Sequence, residues 1–130
     1  MGTKINYKGT EIKLSSKRQG VAYPWGEKYQ KEHHRIFVRV GDLRTQFEFY
    51  CNTSEMKPQD LREAFYFFLG DGIAYKNAND IDDFQSEFGY EDVSECKKVY
   101  EGCKRAWYKW EDFGIDPYNL SNWMQEKYDL

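Results

Sequence analysis

Three groups of side chains in this chain could do chemistry: a pair of histidines, three cysteines, and two stretches of opposite charge. His33 and His34 are the only histidines, so any imidazole-based proton transfer or metal site must use them. Neighbouring residues on a strand point to opposite faces, so the pair cannot easily share one metal. A metal site would need Cys51 or carboxylates brought in by the fold, and the pair reads instead as ordinary strand-entry residues. Cys51, Cys96 and Cys103 are odd in number and lack CxxC spacing, which argues against a disulfide framework and against a zinc knuckle. Cys96 and Cys103 stand seven residues apart, two turns along one helix face, and are expected as small buried hydrophobes. No G-x-S-x-G, P-loop, H-E-x-x-H or G-x-G-x-x-G is present, and Gly70-Asp71-Gly72 lacks the third glycine at the required place. No nucleophile and base can be paired by spacing, so neither an enzyme nor a cofactor or metal is expected.

The charges are unevenly spread. Residues 1 to 47 hold ten Lys and Arg against four acids, whereas residues 71 to 95 hold eight acids against the single Lys76. Such asymmetry implies either two partner surfaces or two halves that attract each other. In the basic part, Lys17, Arg18, Lys28, Lys31 and Arg35 interleave with Tyr23, Trp25 and Tyr29. Cations with stacking platforms are what a single-stranded nucleic acid requires. A Tyr-Pro-Trp-Gly tip equally suits a protein pocket, since Trp, Tyr and Arg dominate interface hot spots, and it suits a plain structural anchor as well. The whole-chain pI near 5.5 weighs against a dedicated nucleic-acid binder. In the acidic part, Asp80, Asp82, Asp83 and Glu87 lack the central Gly and spaced bidentate Glu of a calcium loop. They read as a solvated helix start that could present carboxylates to a basic partner groove, or pair with the chain's own basic half.

The elements that must position these groups follow from periodicity. Ile5 and Tyr7, then Ile12 and Leu14, alternate with polar residues around Lys8-Gly9, which predicts a short hairpin. Residues 15–32 hold Gly20, Pro24 and Gly26 with no sustained period and are expected as a long loop. Ile36, Val38 and Val40 alternate with Arg35, Phe37 and Arg39 before Gly41-Asp42, and Leu43 to Tyr50 alternate on the return: a second hairpin with one buried and one wet face. From Pro58 the period becomes helical, through Leu61, Ala64, Phe65, Phe68 and Leu69. A short helix is expected from Ile81 to Phe88, capped by Asn79 or Asp80 and stopped by Gly89. A longer one is expected between Asp92 and Gly114 with Cys96, Val99, Tyr100, Cys103, Ala106, Trp107 and Trp110 on its buried stripe, Trp107 being central to the core. Asp116-Pro117 opens a last helix with Leu120, Trp123, Met124 and Tyr128 on one face.

The fold class that results is α+β, an N-terminal antiparallel β-meander or pair of hairpins packed against three to four C-terminal helices. One domain is expected over 1–130, mainly β in 1–50 and mainly α in 58–128. No stretch approaches the roughly 20 apolar residues of a membrane span, and Met1-Gly2-Thr3-Lys4-Ile5 lacks the apolar core of a signal peptide, so the protein is expected in the cytoplasm, away from membranes.

The stretch Glu48 to Ala106, especially LREAFYFFLGDGIAY and DFQSEFGYEDVSECKKVYEGCKRA, resembles segments of short accessory proteins carried by phages and mobile elements of Gram-positive bacteria. Inhibitors of host defence, including anti-CRISPR proteins, are prominent in that group. The resemblance implies a non-enzymatic binding protein of the bacterial host cytoplasm that inhibits a defence nuclease by covering a surface of the nuclease or its guide complex. The candidate partner contacts are Tyr23, Trp25, Lys28, Tyr29, Asp80, Asp82, Asp83 and Glu87. The alternative is a nucleic-acid or nucleotide-binding accessory protein that uses Lys17, Arg18, Lys28, Lys31 and Arg35.

Overall fold

The alternation of the N-terminal part becomes four strands, β1 (Gly2–Tyr7), β2 (Thr10–Ala22), β3 (Lys31–Val40) and β4 (Leu43–Cys51), paired antiparallel in chain order. The computed structural model describes residues 2–130; Met1, which opens the N-terminal stretch read above, lies outside the described residues. Lys8 and Gly9 join β1 to β2 with φ of 49° and 85°, the double positive φ of a tight hairpin turn whose twist matches that of its strands. Ile5, Tyr7, Ile12, Leu14, Ile36, Val38 and Phe47 form the buried face of the sheet.

The long loop expected over 15–32 is mostly strand. β2 continues to Ala22 and β3 begins at Lys31, leaving only residues 23–30 as connection. Two features hide this strand from a periodicity reading. Beyond Leu14 its helix-side positions carry Ser16 and Arg18 rather than apolar residues, and the register against β3 shifts between Arg18 and Gly20. A bulge of this kind inserts one unpaired residue and inverts the alternation that follows. Backbone pairing with β3, not burial, holds this part of β2.

Five helices follow: α1 (Pro58–Asn77), α2 (Ile81–Phe88), α3 (Val93–Trp107), α4 (Trp110–Phe113) and α5 (Pro117–Tyr128). α1 lies on the buried sheet face, with Phe68 stacked on Phe47 at 4.0 Å between ring centroids. Leu61, Ala64, Phe65 and Leu69 of the same helix are fully buried, so α1 is the central element of the core. α5 packs beside it through Leu120 and Met124. There Trp123 meets Tyr7 edge-on at 5.1 Å, and the Arg62 guanidinium of α1 sits 5.1 Å from the Tyr128 ring. α3 runs along β4, the last strand of the sheet: a Cβ at Gly102 would stand 3.7 Å from the Phe47 Cα and 3.8 Å from the Gln46 carbonyl. A helix laid there covers unpaired backbone that would otherwise invite another strand.

The helix expected between Asp92 and Gly114 is broken. The Lys109 amide bonds back to the Ala106 carbonyl at 2.9 Å, a three-residue step that tightens the last turn and changes its phase. Trp110 is thereby turned into the core at 4% exposure, against Phe65 and Phe68, while Tyr108 stands 70% exposed. Trp107, expected at the centre of the core, is only half-buried, edge-on to Tyr118 at the surface of the α1–α3 layer.

Candidate functional site

The face of the sheet turned away from α1 carries the most pronounced chemical pattern in the molecule. Successive strand residues alternate faces, and the pairing register aligns Lys4 with Lys13, Lys13 with Arg39, and Arg39 with Arg44. Four cations, one from each strand, therefore form a single rung across the sheet. With strands about 4.8 Å apart, the rung is about 14 Å long. The next row on the same face is Gly2, Ser15, Phe37 and Gln46, a trough with one half-buried aromatic ring among small and neutral residues. Rung and trough line one groove of about 960 Å³, whose wall is completed by Arg105 of α3 and by Lys109. The Lys109 ammonium donates to the Arg44 carbonyl at 2.7 Å, which ties the segment between α3 and α4 to β4.

Like charges directly opposite on neighbouring strands destabilise a sheet, and little here compensates. Glu11 approaches Lys4 and Lys13 at 3.6 Å each through exposed side chains. Arg39 donates to the Gly41 carbonyl at 2.9 Å. Among the described residues, no carboxylate lies within 4.0 Å of Arg39, Arg44, Arg105 or Lys109. A cluster of fixed positive charge beside an aromatic platform can bind and orient an anion.

The same face is differently built at its other end. Lys17 pairs across from Arg35, and Arg35 across from Glu48. His33 donates to Glu48 at 3.0 Å and Arg35 donates to it at 3.1 and 3.2 Å. Burial alone would raise the Glu48 carboxyl, but the bonds from His33 and Arg35 outweigh it and hold the group below the usual carboxylate range. His33 also stacks on Tyr50 at 4.8 Å. The Tyr50 hydroxyl donates to Glu95 of α3, and burial together with Glu95 pushes that phenol up. This end is a closed polar network, roofed by Trp25. His34, on the opposite face, donates through Nε2 to the Thr53 carbonyl at 2.7 Å, which fixes the tautomer because a carbonyl only accepts.

The sequence-nominated residues are not gathered in one place. Trp25 is an anchor: its indole donates to the Phe88 carbonyl at 2.9 Å and its ring stacks on Tyr90 at 5.4 Å. The Pro24 carbonyl accepts from the amides of Glu91 and Asp92, so the 23–30 connection is clamped to the α2–α3 turn. Tyr23, Lys28 and Tyr29 remain exposed beside it. Arg18 bonds Glu32 at 2.6 Å, and Lys31 bonds Asn52 at 2.9 Å. Of the five nominated cations, Lys17, Lys31 and Arg35 fall on the outer sheet face, all on the side of Phe37 away from the rung. In the acidic segment Asp80 caps α2 by accepting from the Asp83 amide at 3.0 Å, and Asp83 accepts from the Asn79 amide at 3.2 Å. Asp82 and Glu87 are exposed. Asp71 is half-buried on α1, and burial pushes its carboxyl up to about 7. Among the described residues no ion pair joins the acidic segment to the basic strands. Lys4, Lys13, Arg39 and Arg44 were not nominated from sequence, because only strand register reveals that they stand side by side.

Compared with models of protein families, with curated proteins and with solved structures, the chain matches none.

Proposed function

We propose that this chain is a non-enzymatic binding protein whose working surface is the outer sheet face and whose partner presents a run of negative charge. The observation that carries this reading is the in-register rung of Lys4, Lys13, Arg39 and Arg44. Glu11 offsets charge only at Lys4 and Lys13, through exposed side chains, and setting Arg39 and Arg44 beside them adds repulsion that the fold does not need, so the placement is best supported as serving a ligand. Inhibition of a bacterial defence nuclease, implied by the resemblance, is one use of such a surface: covering an anionic strand of a guide complex blocks it by occupancy.

The test is retention on a heparin matrix at pH 7.5. With a net charge of −3, the chain as a whole has no reason to be retained, so retention reports a local cationic face. The wild type is expected to bind and to elute at raised salt. Arg39→Glu with Arg44→Glu is expected to flow through, while Lys28→Glu with Lys127→Glu, equal in charge change but placed elsewhere, is expected to elute as wild type. Equal behaviour of the two double variants, or no retention of the wild type, refutes the reading.

A further inference from the structure

The rung and the trough together say more than positive charge alone. They run parallel across the sheet, two residues apart along each strand, which is a separation of about 7 Å. One row offers fixed charge; the other offers a flat apolar ring, Phe37, between Ser15 and Gln46, with Gly2 beyond Ser15; the small size of Ser15 and Gly2 leaves space above the backbone on that side. A ligand that uses both rows must carry a line of anionic groups with flat rings projecting to one side of it.

Resting on the proposed anion-binding reading, we infer that the ligand is a single-stranded nucleic acid, laid across the four strands with phosphates on the Lys4–Lys13–Arg39–Arg44 rung and a base stacked on Phe37. A duplex presents phosphates but hides its base faces in the stack, so Phe37 gains nothing from it. A sulfated polysaccharide or an acidic peptide presents anions without a run of flat rings, and leaves the trough unfilled. Single strands combine the two, and base-on-aromatic stacking beside a cationic track is how sequence-tolerant strand binding works. Arg105 and Lys109 at the groove wall lie at the β4 end of the rung, where they extend the track toward α3. The Ser15 hydroxyl, exposed in the trough, offers a neutral hydrogen-bond donor to a base edge or sugar.

The experiment is fluorescence anisotropy with a labelled mixed-sequence single strand of twelve nucleotides, as DNA and as RNA, set against the duplex of the same sequence, heparin and polyglutamate. The single strand is expected to bind at least about tenfold tighter than the duplex. Its log affinity should fall with log salt at a slope of about −2.8 if four phosphates are neutralised, and at about −1.4 in Arg39→Glu with Arg44→Glu. Phe37→Ala should weaken the single strand about tenfold at unchanged slope and leave heparin binding unaltered, while Phe37→Trp restores strand binding. Circular dichroism of each variant separates lost binding from lost fold, and the Trp variant keeps the aromatic volume should Ala unfold. Equal affinity for duplex and heparin, with Phe37→Trp no better than Phe37→Ala, overturns the single-strand inference while the anion-binding surface stands. Preference for polyglutamate assigns the face to an acidic protein and likewise overturns it. Binding of no anion at all removes both.

Discussion

Replacing Arg39 by Glu places a negative charge between Lys13 and Arg44, the residues paired with it on either side. Two unit charges about 7 Å apart in water interact by about 0.6 kcal/mol, and 0.1 M salt roughly halves this. Reversing the sign at Arg39 changes each interaction by twice the screened value, so two neighbours together contribute about 1.2 kcal/mol. The substitution also removes the bond from Arg39 to the Gly41 carbonyl at 2.9 Å, an exposed bond that contributes about 0.5 kcal/mol. Arg39→Glu is therefore expected to stabilise the fold by about 0.7 kcal/mol, raising the thermal midpoint by about 2 to 3 °C at 0.1 M salt. At 1 M salt the screening length falls to about 3 Å; the charge benefit nearly vanishes, the lost hydrogen bond remains, and the variant becomes slightly less stable than wild type. Urea unfolding suits the assay because urea leaves ionic strength under independent control. Arg39→Gln, which removes the charge without reversing it, should fall between the two. A variant destabilised at both salt concentrations would refute the reasoning, since it would mean that Arg39 supports the fold and that the rung is not a mutual repulsion.

Two further outcomes follow from the core. Burial holds the Asp71 carboxyl near 7 against about 3.9 in an unfolded chain, so the folded state takes up that proton more tightly. The stabilisation that protonation gives is complete below about pH 4 and is lost as pH rises through 7; Asp71→Asn should therefore stabilise by about 2 to 4 kcal/mol at pH 8 and leave thermal midpoints at pH 4 unchanged. A variant no more stable than wild type at pH 8 would show that water reaches the carboxylate. Trp110→Ala should cost about 3 to 5 kcal/mol in urea unfolding, as a buried aromatic truncation, and Trp107→Ala clearly less. The reverse order would place Trp107 in the core after all.

Most of the fold could be read from the chain because its signals are local. The two hairpins show in alternation about Lys8-Gly9 and Gly41-Asp42, and α2 shows in the Asp80 cap and the Gly89 stop. The class, a β-meander followed by helices, needed no more than the change of period at Pro58. What escaped was set by partners distant in sequence. Lys13, Ser15 and Lys17 look like an irregular polar run until β3 is placed beside them. The break at Tyr108 is invisible in a stripe that fits both Trp107 and Trp110 at helical spacing, and is decided by how Trp110 packs on α1. Trp25, nominated for an interface, carries no sequence mark that it bonds to a carbonyl 63 residues away.

The candidate site was illegible for a related reason, and the whole-chain charge pointed away from it. A pI near 5.5 averages two populations that the fold keeps apart. The cations of β1 to β4 meet on one sheet face, whereas Asp80, Asp82, Asp83 and Glu87 cluster on or beside α2, and no ion pair among the described residues links the two groups. Had the halves neutralised each other, the chain would present a mixed and weak field. Kept separate, they leave the rung a local field of one sign, and such a field steers an oppositely charged ligand before contact. Net negative charge, which disfavours indiscriminate association with anionic polymers, is thus compatible with the anion-binding face proposed above. The repulsion built into the rung is the part of this arrangement that folding alone cannot explain, and a bound row of phosphates would relieve it.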